Sequence, residues 1–95
     1  MRLNSQTIEV IKKYYREIFL DGDVYLFGSR VDDTKRGGDI DLYLTPKDHS
    51  ELFRKKIKFL ASIKREIGDQ KIDVIFNINP DRLIEKEALE WGIKL

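Results

Sequence analysis

The sequence has no cysteine and a single histidine, His49. Disulfides and thiolate metal sites are excluded, and a histidine-based zinc site lacks its ligands. The absence of cysteine also suits a reducing compartment. No apolar run approaches the ~20 residues of a membrane span, and the first ten residues lack the apolar core of a signal peptide. These absences predict a cytoplasmic protein with no membrane attachment. Charge of one sign is missing too: 18 Lys and Arg against 17 Asp and Glu leave a net charge of +1. Nucleic-acid-binding domains usually carry a clear basic excess, so this balance argues against RNA as the main partner. No repeat or low-complexity linker interrupts the chain. Its 95 residues suit one compact domain, residues 1–95.

What is there is strongly patterned. Ile8, Ile11, Tyr15, Ile18 and Phe19 recur at helical spacing and predict a helix from Asn4 to Leu20. Asn4 is suited to the N-cap, with Leu3 and Ile8 as a hydrophobic staple, and Gly22 to a left-handed exit. Val24 to Phe27 reads as a buried strand. Arg30 to Asp33 suits a single helical turn, and Thr34 to Gly38 a polar connection. Asp39 to Thr45 is a second strand, with Ile40, Leu42 and Leu44 on one face and Asp39, Asp41 and Tyr43 on the other. Asp48 and Glu51 match a capping box for a helix to about Ile67, whose expected stripe is Phe53, Ile57, Leu60, Ile63 and Ile67. Lys71 to Ile78 is a third strand with Asp73, Ile75 and Asn77 on its polar face. Asn79-Pro80 predicts the cap and first residue of a last helix to about Glu90, with Ile78 and Leu83 as its staple. The fold class is α+β: a small mixed sheet with helices mainly on one face, the other face left to the acids.

Asp39 and Asp41 are two apart on a strand, so both carboxylates share one face roughly 6.5–7 Å apart along the chain. Like charges held that close call for a cation. If the third strand neighbours the second, Asp73 joins them. An oxygen-only set with no His or Cys favours Mg²⁺ or Mn²⁺, which complete their shells with water and phosphate. Gly28-Ser29 is the natural phosphate cradle: glycine admits close backbone approach and serine donates a hydroxyl. Arg30, Lys35 and Arg36 add positive charge on the triphosphate side. Each piece also has a plainer reading. Asp-x-Asp can be edge charge, Gly-Ser an ordinary turn, and Asp73 a paired structural acid. Tyr14, Tyr15 and Tyr25 suit the core or its boundary, and His49 the surface. Arg54, Lys55, Lys56 and Lys58 suit a solvated helix face, with an acidic partner or RNA as the rival. Trp91 suits a lid over the core.

The conjunction resembles the minimal nucleotidyltransferase family of the DNA polymerase beta superfamily. Its hallmark is matched by Gly28-Ser29, nine intervening residues, Asp39-Ile40-Asp41, and Asp73 within Lys71 to Ile75. The resemblance covers nearly the whole chain. Gly38 departs from it, since many relatives have serine before the first Asp; this removes one hydroxyl contact to phosphate and leaves the acids intact. The resemblance implies a minimal polymerase-beta-like fold and attack by a hydroxyl on an NTP α-phosphate. Asp39, Asp41 and Asp73 would be the catalytic, metal-binding residues for two Mg²⁺ ions. Gly28, Ser29 and Arg30 would hold ATP, and Asp73 would help to deprotonate the acceptor. Larger members carry further domains that shape the acceptor site, so the resemblance implies an acceptor on another protein. In this family that partner is typically a HEPN-domain ribonuclease toxin, bound in a hetero-oligomer and modified by AMP on a tyrosine. Two alternatives stand beside that reading: an antitoxin that neutralises by binding alone, and nucleotidyl transfer to a small molecule.

Overall fold

The computed structural model describes residues 3–28 and 39–95. In chain order these form α1 (Ser5–Phe19), β1 (Val24–Phe27), β2 (Ile40–Leu44), α2 (Leu52–Ile67), β3 (Ile72–Phe76), α3 (Leu83–Trp91) and β4 (Ile93–Lys94). The sheet runs β3-β2-β1-β4. β1 is antiparallel to β2 and β4, and β2 is parallel to β3. Parallel neighbours need a crossover, and α2 provides it. This is an α+β architecture, as the alternation of periods predicts. The two-residue β4 was not expected, because so short a run carries no alternation to read. None of the described helices is long and apolar enough to cross a membrane.

One face of the sheet presents Val24, Leu26, Ile40, Leu42, Leu44, Ile72 and Val74 to α1 and α2. α1 begins as expected, with Asn4 Oδ1 accepting from the Thr7 N–H at 2.8 Å. Its exit uses two left-handed residues, Leu20 and Gly22. Tyr15 then donates to the Asp21 carbonyl at 2.7 Å, tying the turn back to the helix. Phe19 and Phe59 meet edge-on, with ring centroids 5.7 Å apart, and lock α1 against α2.

Helix α2 differs from expectation at its start and over the first half of its buried face, while Leu60, Ile63 and Ile67 face the core as expected. Asp48 does not cap it. Its oxygens accept from the Ser50 N–H and hydroxyl, Glu51 is left-handed, and the helix starts at Leu52. The buried stripe is Phe59, Ser62 and Ile63, flanked by Leu52, Leu60 and Ile67, while Phe53 is 74% exposed and Ile57 53%. Apolar residues lie on two stripes offset by one position, and periodicity does not choose between them. The buried Phe59 decides the rotation.

Helix α3 also departs from expectation. Asn79 forms a turn, its Oδ1 accepting from Asp81 N–H, and the helix starts at Leu83 rather than Pro80. Ile78 and Leu83 are exposed and form no staple. More consequentially, α3 lies on the acid-bearing face. Ala88 packs there on Phe27 and Tyr43, with Tyr25 and Ile75 alongside. That face is therefore partly covered. Trp91, expected as a lid, is 68% exposed.

The choice between the two α2 stripes is testable. Phe59→Ala should cost about 3–5 kcal/mol in urea unfolding, the range for a large buried aromatic. Phe53→Ala should stay within about 0.5 kcal/mol of the unsubstituted chain. Equal costs would mean that the helix is rotated differently.

Candidate active site

The parallel register of β2 and β3 pairs Asp41 with Asp73, one of the five pairs from Ile40↔Ile72 to Leu44↔Phe76. Odd positions on both strands face away from the main core, so both acids stand on the α3 side of the sheet. Asp73 is exposed and Asp41 half-buried. At an effective dielectric of about 20, two full charges ~5 Å apart repel by roughly 3 kcal/mol. The chain registers that conflict. Burial first, then the charges of Asp73 and Asp39 and a hydrogen bond with Asp73, hold the Asp41 carboxyl above its ordinary range; Lys71 opposes them.

Asp39 lies just ahead of β2, and its charge is among those acting on Asp41. The Asp39 Oδ2 is 3.3 Å from the Lys71 Nζ. Among the described residues, no three carboxylates stand together as a ready metal cage. The donor chemistry nonetheless fits a hard divalent cation: two crowded oxygens, a third carboxylate next to them, and no softer ligand. The expected trio is thus present as a pair plus a neighbour held by a lysine.

Gly28 ends β1 beside this pair. Phe27 pairs with Asp41, so the chain leaves the sheet next to the Asp41 carboxylate. Gly28 has φ +77, and a Cβ there would collide with Asp41 Oδ2. The glycine is needed on both counts. Its expected companions Ser29 and Arg30 lie outside the described residues, as do Lys35, Arg36 and Gly38.

Sequence reasoning missed one residue that frames the site. Glu85 of α3 is buried, and its carboxylate accepts from Tyr43 Oη–H (2.9 Å), Asn79 N–H (2.8 Å) and Arg82 Nε–H (2.8 Å). Desolvation pushes Glu85 up, but these donors outweigh it, and its carboxyl is held below the usual range. Tyr43 is pushed up to about 12 by burial and by its bond to Glu85. Tyr43 is on β2, two residues from Asp41, so this buried link fixes α3 next to the acids. An acid in a short helical run gives no sequence signal of burial. A cleft of about 280 Å³, lined by Lys12, Tyr15, Arg16 and Lys94 among others, includes Val24, at the other end of β1 from Gly28.

Two substitutions follow from this geometry. Gly28→Ala should cost about 1–2 kcal/mol from left-handed strain alone. It should also weaken any ligand bound through Asp41 more than Gly22→Ala does. Equal ligand affinity in the two variants would count against the close approach. Glu85→Gln should lower urea stability at pH 7 by about 1–3 kcal/mol. Because the folded carboxyl is depressed, the Glu85 contribution is present above the unfolded value of about 4.3 and lost as pH falls through the folded value. The gap between the two proteins should therefore close on acidification below about pH 4. A gap unchanged down to pH 3 would contradict the buried, donor-held carboxylate.

No curated protein matches the chain. A family model described as "Polymerase beta, Nucleotidyltransferase" matches residues 6–95, from α1 through the acid-bearing strands to β4. The sheet with its paired strand-borne acids is consistent with that fold, and the chain belongs to the polymerase beta nucleotidyltransferase family.

Proposed function

We propose that this chain is a Mg²⁺-dependent protein adenylyltransferase that moves AMP from ATP to a tyrosine hydroxyl of a HEPN-domain ribonuclease toxin, and so acts as its antitoxin in a hetero-oligomer. Family membership supports nucleotidyl transfer. The observation that carries the protein acceptor is the surface beside the acids. Helix α3 leaves Leu83, Leu89 and Trp91 exposed, and it packs on the sheet face on which Asp73 is open to solvent. Exposed apolar side chains gathered on one helix suit a protein partner, with tryptophan the side chain most often found at interface anchors. A partner seated there would bring its own hydroxyl to the acids.

In this reading Asp41 and Asp73, with Asp39, hold the divalent cation. Bound there, the cation supplies neutralising charge to the triphosphate. Gly28 keeps the β1 exit clear for phosphate, and Ser29 and Arg30 hold the triphosphate. Asp73 accepts the proton of the tyrosine hydroxyl. The hydroxyl oxygen bonds to the α-phosphorus as the bond to the leaving pyrophosphate breaks.

The experiment incubates the chain with a HEPN partner, α-labelled ATP and Mg²⁺, and follows intact mass. The partner should gain one or more AMP units. Asp41→Asn and Asp73→Asn should each reduce transfer by at least ~10²-fold, the scale of removing one group aimed at reacting charge. The exposed side of α3 equally favours a second reading, neutralisation by binding alone. Protection of cells by an Asp39→Asn, Asp41→Asn variant as fully as by the unsubstituted chain would establish that second reading. Label found only on a small molecule would overturn both.

A further inference from the structure

Three acids flank this site, yet only two pair, and Lys71 accounts for the third. The Ile40 N–H donates to the Lys71 carbonyl at 3.1 Å, which extends the β2–β3 ladder by one step and fixes the Lys71 backbone beside Asp39. From there its Nζ reaches Asp39 Oδ2 at 3.3 Å. The influence extends further. The bond and charge of Asp39, then the charges of Asp73 and Asp41, all favour the ammonium form of Lys71. One cation on a flexible stem thus pairs with Asp39 and stands within the field of the other two acids. The pair is also easily opened, since the side chains of Lys71 and Asp39 are 69% and 41% exposed. Exposed ion pairs contribute little, so a divalent cation can displace the lysine.

We propose that Lys71 is a tethered counter-cation that competes with the divalent metal for Asp39, steadying the acid face without metal and lowering its metal affinity. The inference rests on the reading of Asp39, Asp41 and Asp73 as metal ligands. Lys71 acts through Asp39 and is a positioning residue. Its ammonium and the metal are alternative partners for one carboxylate, so taking up the metal releases the lysine. The lysine's charge would also resist a second positive charge nearby.

Calorimetric titration of the purified chain with Mn²⁺ tests this without any acceptor. Lys71→Met should bind Mn²⁺ about 3- to 10-fold more tightly, the range for losing one exposed competing pair and its local charge. Lys71→Arg keeps the competitor and should stay within about twofold of the unsubstituted chain. Lys58→Met removes the same charge from α2, on the other face of the sheet, and should also stay within about twofold. In EDTA, Lys71→Met should melt at a lower temperature than the unsubstituted chain, and Mn²⁺ should raise its melting temperature by more. Unchanged or weaker Mn²⁺ affinity in Lys71→Met overturns the proposal, as does equal tightening in Lys58→Met. Failure of the underlying reading looks different. In that case the unsubstituted chain binds no Mn²⁺, or Asp41→Asn binds it as well as the unsubstituted chain does, and both ideas fall. Binding abolished by Asp41→Asn but unmoved by Lys71→Met removes only the role of Lys71.

Discussion

The parallel pairing of β2 with β3 sets Asp41 against Asp73, and much of the structure is arranged around the repulsion that results. A sheet normally avoids like charges side by side, because each such pair is destabilising. Here the ladder continues on both sides of the pair through buried Ile40, Leu42, Ile72 and Val74. Fully burying each such side chain contributes about 1.5–3 kcal/mol, enough to hold the register against one repulsive pair. The core thus imposes a conflict on the surface, which a proton on Asp41, the Lys71 ammonium or a bound cation can relieve.

That frame explains the placement of the other parts. β1 must end at a residue that tolerates both positive φ and contact with Asp41, and Gly28 meets both demands. α3 must stop short of the acids while still covering Phe27 and Tyr43. Glu85 gives it one anchoring point, with donors from β2, from the turn before α3 and from Arg82. A buried carboxylate with three donors is tolerable, whereas removal of any one of them leaves charge unsatisfied.

Helix α3 leaves apolar side chains exposed for a different reason. Its inward side is narrow, with Glu85 and Ala88 the buried positions. Leu83, Leu89 and Trp91 therefore remain outside, although Leu83 was expected in a staple and Trp91 as a lid over the core. On α2 a similar excess of apolar residues left Phe53 and Ile57 exposed. In both helices the sequence contains more apolar side chains than one buried stripe can use.

Much of this was legible in the residues. The 2-residue period of Asp39 to Leu44 and of Ile72 to Phe76 determined which side chains share a face, because strand geometry leaves no other choice. Asn4 as a cap and Gly68 as the end of α2 were readable because capping is local chemistry. Gly28 after the first strand, and Asp41 and Asp73 on neighbouring strands, were readable from the runs that flank them. Tertiary structure alone decided which of two stripes α2 buries, that α3 lies on the acid face, and that Glu85 is inside it. It also decided that Lys71 pairs with Asp39. Those outcomes depend on contacts between segments far apart in the chain, where shape, burial and charge are settled together. The sequence alone thus named the acids, and the packing determined which of them stand together.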